Sequence, residues 1–183
     1  MSTQAKLSAT EYLDLERLSK TKHEFINSEI FAMAGASEAH NLIVMNIGAS
    51  LHSQAKKRPY RVYPSDLRVQ VLDGYVYPDV TIVCGKPEFV GKDNLTNPNL
   101  IIEVSSPATE DYDFGGKFAR YRQLESLQDY IIVSQDKIMV THYTRQDAKH
   151  WLLTELTDAQ ATISLNHLQC HLLLEDMYDK VFE

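Results

Sequence analysis

The sequence predicts an α/β fold with a central mixed β-sheet flanked by helices, and three observations carry that prediction. Leu100 to Ser106 and Asp129 to Ser134 are apolar runs of strand length, separated by a segment with helical periodicity. Such a strand–helix–strand crossover joins parallel strands with right-handed chirality. A long amphipathic helix precedes this core, and pairs of short strands lie at both ends as an N-terminal helix-hairpin and a C-terminal hairpin addition. At 183 residues, the chain suits a single domain spanning 1–183. Its 44% hydrophobic and 23% charged composition is that of a folded chain.

Ser8 and Glu11 form a capping box for a helix running to about Leu18, with Leu7 placed to staple onto Tyr12. His23 to Met33 reads as a hairpin, with Glu24-Phe25-Ile26 and Ile30-Phe31-Ala32-Met33 flanking an Asn27-Ser28 turn. Ser37 is a helix N-cap, and the helix extends from Glu38 to about Lys56. His40, Ile43, Ile47 and Leu51 share one of its faces, so His40 points inward and, on spacing alone, reads as a hydrogen-bonded core histidine.

Two strands follow, Arg61 to Val71 and Tyr75 to Val83, joined by Leu72-Asp73-Gly74. Pro78 restricts the second to a strand start or an edge, and alternation places Asp79 on the face of Thr81 and Val83. Gly85 to Asn99 reads as a loop. After Asp111, a helix is expected through about Leu124, with Phe114, Phe118, Tyr121 and Leu124 as its apolar stripe. Lys117 falls within that arc. Gly115-Gly116 is costly inside a helix and predicts a close approach by backbone or ligand. Lys137 to Thr144 and His150 to Leu156 form a further hairpin, and a last helix is expected from Leu174 to Val181.

A net charge of -7 argues against a general nucleic-acid coat, which needs concentrated Lys and Arg, but not against a nuclease whose acidic site is neutralised by cations. No apolar run approaches the roughly 20 residues that cross a bilayer, and the N-terminus lacks the regions of a signal peptide. A cytoplasmic, non-membrane protein is expected, with Cys84 and Cys170 as buried thiols.

The chemistry concentrates on three charged residues in apolar settings. Glu103 interrupts an aliphatic strand, where burial costs several kcal/mol unless a cation or hydrogen bonds compensate it. Asp79 is a second carboxylate on an apolar strand. Lys117 can lay its stem along the sheet and extend its ammonium to the strand ends. Two carboxylates on adjacent strands can hold Mg²⁺ through oxygen, and a nearby lysine can orient water or stabilise phosphorane charge. The same residues also fit a structural Glu103–Lys117 ion pair.

Together the motifs resemble the PD-(D/E)XK, restriction-endonuclease-like superfamily, and within it the bacterial family of restriction-endonuclease homologues without assigned roles. The resemblance rests on His23 to Ile30, Met33 to Ser37 with His40, Tyr63-Pro64-Ser65-Asp66 and Tyr77-Pro78-Asp79-Val80. It continues through Ile102-Glu103-Val104-Ser105-Ser106-Pro107, Tyr112-Asp113 and Lys117-Phe118. It implies a restriction-endonuclease-like core and Mg²⁺-dependent cleavage (Mn²⁺ can substitute) of phosphodiester bonds, with DNA as partner. Asp79, Glu103 and the Val104 carbonyl are the implied metal ligands, and Asp79, Glu103, Lys117, Glu24 and His40 the implied catalytic residues. The superfamily lysine stands two residues after the second acid, where this chain has Ser105; the family pattern moves it to Lys117. Glu29 and Glu38 are lesser candidates for the additional acid, and Asp66 is undecided. By analogy with nucleases of this fold, a homodimer is expected. The competing expectation is a catalytically inactive nuclease fold kept as a binding module. Hydrolysis of RNA or a small phosphoester is the third.

Overall fold

In the computed structural model, which describes residues 7–182, helix α1 (Ala9–Leu18) starts at the expected capping box. Glu11 N–H donates to Ser8 Oγ, while Ser8 N–H donates to the Glu11 carboxylate. Leu7 packs with Tyr12, Phe25 and Tyr75. Strands β1 (His23–Ile26) and β2 (Glu29–Ala32) form the expected hairpin. Its turn residues Asn27 and Ser28 both have positive φ, 52° and 69°, which suits the right-handed twist of the strands. Helix α2 (Glu38–Ala55) is capped by Ser37 and buries Ile43, Ile47 and Leu51.

The two strands expected next are each divided, giving β3 (Tyr60–Pro64), β4 (Arg68–Val71), β5 (Gly74–Val76) and β6 (Val80–Cys84). Strand β3 pairs with β6, and β4 with β5, in two different sheets. The second break falls at Tyr77-Pro78-Asp79, because Pro78 has no N–H to continue a ladder. Asp79 therefore precedes β6 instead of lying inside a strand. At the turn into β5, a Cβ on Gly74 would stand 1.7 Å from the Phe25 carbonyl oxygen, so the close approach of β1 and β5 requires glycine.

The stretch expected as a loop contains β7 (Phe89–Val90) and β8 (Asn94–Leu95), the latter parallel to β4. Strands β9 (Leu100–Ser105) and β10 (Asp129–Ser134) are parallel, as the crossover requires. The connecting helix is not a continuous α-helix. A π-helical segment, Tyr112–Lys117, leads into the single turn α3 (Phe118–Tyr121). The chain ends with β11 (Val140–Arg145), β12 (Trp151–Leu156), the hairpin β13 (Thr162–Leu165) and β14 (Cys170–Leu173), and a shorter helix than expected, α4 (Leu174–Met177).

The first six-stranded sheet has the order β2-β1-β5-β4-β8-β7, and the second β12-β11-β10-β9-β6-β3. The N-terminal hairpin is thus built into the first sheet through β5. One face of the second sheet packs against α2 and the C-terminal hairpin, through Ile102, Ile131 and Ile47. The other packs against α3, through Ile101, Ile132 and Tyr121. On the α2 face, Asp129 is held between His142 Nε2, at 2.6 Å, and His167 Nδ1 at 2.9 Å. Cys84 and Cys170 are free thiols, Cys84 only half-buried. Among the described residues, no helix is long and apolar enough to cross a membrane.

Candidate active site

The chain changes sheets at Tyr77-Pro78-Asp79, and the candidate residues meet along that seam. Glu24 comes from β1 of the first sheet, Glu103 and Val104 from β9 of the second, and Asp79 from the crossover between them. His40 comes from the first turn of α2, and Lys117 from the end of the π-helical segment. All of them line one cleft of about 1160 Å³.

Asp79 is fixed before any ligand arrives. Its Oδ2 accepts the Val104 N–H at 2.8 Å and is 3.1 Å from His40 Nε2. Strand β6 pairs with β9 only as far as Ile102, so the Asp79 side chain takes up an N–H that the sheet leaves free. A residue's N–H and C=O share one edge of a parallel strand, which puts the Val104 carbonyl on the Asp79 side. Glu24 accepts the Tyr77 N–H at 3.2 Å, which ties the first sheet to the seam.

Glu103 accepts a hydrogen bond from the Tyr121 hydroxyl at 2.6 Å, and its other oxygen is 3.1 Å from Lys117 Nζ. Lys117 also lies 3.4 Å from Asp113 Oδ1 and 3.7 Å from Glu24 Oε1. One ammonium therefore faces a cluster of carboxylates. Burial pushes the Glu103 carboxyl well above the usual range; Lys117 opposes that rise, while Asp79 and Asp113 add to it. Asp113 is raised for the same first reason, burial, with Lys117 again opposing. Burial alone would depress Lys117, but Glu103, Glu24, Asp113 and Asp79 outweigh it and hold its ammonium well above the ordinary lysine value.

The donor set fits a hard divalent cation. Negative charge exceeds what Lys117 neutralises, and the buried Asp113 Oδ1 has no well-formed hydrogen bond. Among the described residues, no three His, Cys, Asp or Glu side chains form a metal cage. Asp79, Glu103 and a backbone carbonyl leave coordination positions open, in keeping with Mg²⁺, which retains several waters.

The structure brings Glu24, His40, Asp79, Glu103, Val104 and Lys117 together. Glu29 reaches the cleft rim but is exposed, and Glu38 is exposed on the first turn of α2. Asp66 is also exposed, 2.5 Å from Lys22 Nζ. Ser105 is buried at the end of β9, and Lys117 delivers an ammonium to Glu103 from a separate element. Three residues outside the sequence-derived set join the site: Asp113, Tyr121 and Tyr112, whose hydroxyl burial pushes up to about 12. Tyr121 sat in the predicted apolar stripe, and Asp113 stands four residues before Lys117; those positions were the available signals. The close approach predicted at Gly115-Gly116 is made by a side chain: a Cβ on Gly116 would meet the Tyr112 ring at 2.7 Å.

Two mixed sheets meeting at an acidic seam, with the lysine on the crossover element, define an α/β fold of the restriction-endonuclease-like class. The family described as "Uma2: Putative restriction endonuclease" matches residues 9–174, and the chain belongs to that family. It is 35% identical to "Uncharacterized protein sll1609" of Synechocystis sp. (strain ATCC 27184 / PCC 6803 / Kazusa), over 92% of this chain and 98% of the relative. It is also 35% identical to "Uncharacterized protein slr1290" of the same strain, over 81% of this chain and 79% of that protein. A crystal structure described as a "putative nuclease belonging to DUF820", from Anabaena variabilis ATCC 29413, shares the fold with a TM-score of 0.79. That match has 17% identity and covers 96% of this chain and 99% of the other.

Proposed function

We propose that this protein is a nuclease that hydrolyses phosphodiester bonds of DNA with Mg²⁺, or Mn²⁺ in its place. The observation that carries the reading is the surplus of buried carboxylate around a single lysine, at the junction of two sheets. Family membership and the fold shared with the Anabaena protein described as a "putative nuclease" support it. Asp79, Glu103 and the Val104 carbonyl would hold the cation. Bound there, it supplies Lewis-acid polarisation of the scissile phosphoryl oxygen and makes water more acidic.

The protein's own groups do the positioning. His40 and the Val104 N–H orient Asp79, and the Tyr121 hydroxyl orients Glu103. The Lys117 ammonium, steered by Asp113 and Glu24, donates toward the attacking water or the developing phosphorane charge. Incubating supercoiled and single-stranded DNA with wild type, Asp79→Ala and Glu103→Ala in Mg²⁺ tests the reading. Cleavage by the wild type alone is expected, and equal activity in all three proteins contradicts it.

The 3.1 Å contact between Lys117 and Glu103 favours a second reading, an inactive fold stapled by that ion pair. Stability separates the two. A plain ion pair predicts a loss of roughly 3–5 kcal/mol when Glu103 is neutralised, because in that reading Glu103 is the main counter-charge of the buried Lys117 ammonium.

A further inference from the structure

The cleft has a wall that the hydrolytic chemistry does not use. Phe31 on β2 keeps 49% of its surface exposed although it lines the cleft. In the hairpin register it stands directly opposite Glu24, so its ring shares the face that carries the site carboxylate. Ile26, Met33 and Val44 extend the apolar surface beside it. The opposite face of the hairpin is anchored, with Phe25 stacked on Tyr12 at a centroid distance of 4.8 Å. Phe31 is therefore an aromatic ring presented on a firm platform, and among the described residues no other ring stacks on it.

The cations of the cleft are, by contrast, already engaged. Arg120 is bidentate on Asp73 at 3.0–3.1 Å, Lys117 faces the site carboxylates, and Lys22 at the exposed rim is paired with Asp66. Duplex binding draws its affinity largely from phosphate contacts to Lys and Arg, which this cleft does not offer freely. Base stacking on an exposed aromatic adds affinity that a duplex, with its bases already stacked and paired, does not gain.

We infer that Phe31 is a base-stacking residue, and that the cleft takes single-stranded or locally unpaired DNA, with one base on the Phe31 ring and its phosphate toward Asp79 and Glu103. The inference rests on the nuclease reading and specifies its substrate. The hairpin thereby acts as a binding element that selects strands whose bases are free.

Fluorescence anisotropy in Ca²⁺ tests it, with a labelled oligothymidylate, the same backbone carrying abasic residues, and a duplex of equal length. The wild type is expected to prefer the oligothymidylate, and Phe31→Ala to weaken that binding at least about fivefold. Phe31→Trp should restore it, and the abasic strand should bind wild type and Phe31→Ala alike. Circular dichroism confirms the fold of each variant. Equal wild-type affinity for duplex and single strand, or a Phe31→Ala change within about twofold, overturns the inference and leaves the hydrolytic reading to the Asp79 and Glu103 variants. A wild type that binds no nucleic acid overturns both.

Discussion

Glu103 and Asp129 lie on adjacent parallel strands, are both almost wholly buried, and have been treated in opposite ways. Burial tends to raise Asp129 as it does Glu103, but His142 and His167 outweigh it and hold that carboxyl below its ordinary value. Around Glu103 the balance runs the other way. The ammonium beside it, Lys117, is shared with Glu24 and Asp113, and neighbouring acids push the Glu103 carboxyl up. A carboxylate matched by its own pair of imidazoles fastens strands and hairpin together. One left with surplus negative charge is where, in the proposed reading, a bound cation would restore the balance.

The largest expected effect sharpens that contrast. Glu103→Gln keeps the shape and the Tyr121 hydrogen bond, so the rate of cleavage should fall roughly 10³-fold, several kcal/mol of transition-state stabilisation. Metal-free stability should meanwhile change by less than about 1 kcal/mol, because Lys117 keeps Glu24, Asp113 and Asp79. Urea denaturation alongside the cleavage assay checks both. A loss of about 4 kcal/mol on denaturation would make Glu103 the structural residue and break the comparison.

Asp129→Asn should do the reverse. It leaves two imidazoles without their shared carboxylate and should cost about 3 kcal/mol of stability, with cleavage per folded molecule unchanged. The two sites also predict opposite pH slopes. Asp129, depressed when folded, stabilises above its unfolded value of 3.8, and that contribution is lost as pH falls through the folded value. Glu103, raised when folded, favours the native state below its unfolded value of 4.5, and that contribution is lost as pH rises through the folded value. Hence the Asp129→Asn deficit should vanish in acid, while Glu103→Gln should gain on the wild type as pH rises. Parallel slopes in denaturation from acid to neutral pH would erase the distinction.

The smallest effect concerns Asp113, which touches the lysine rather than the proposed metal ligands. Asp113→Asn should lower the rate about 10–100-fold, with the fold intact, as partners that orient a functional group commonly do. An unchanged rate and pH profile would remove Asp113 from the site.

The periodicity of apolar residues was enough to reveal the parallel β9–β10 pair, helix α2 and the β1–β2 and β11–β12 hairpins, because each follows from local spacing; the β13–β14 hairpin was not foreseen. It did not reveal the second sheet. Tyr77-Pro78-Asp79 continues an apolar pattern on both sides, and only tertiary pairing decides that the chain changes sheets there. Glu103, Asp79 and Lys117 stood out as charges in apolar runs. Tyr121 did not, since a Tyr in an apolar stripe is ordinary there, and Asp113 was marked only by the Tyr112-Asp113 motif of the family resemblance. The π-helical segment that buries Asp113 and Lys117 together has no periodicity by which to recognise it.

The central claim is that Glu103 is one corner of a cation site. A crystal soaked in Mn²⁺ and measured at the metal's absorption edge tests it most directly. The account predicts an anomalous peak joining Asp79, Glu103 and the Val104 carbonyl, with Lys117 retained beside it. No peak there, with the Lys117 ammonium still seated on Glu103, would contradict it.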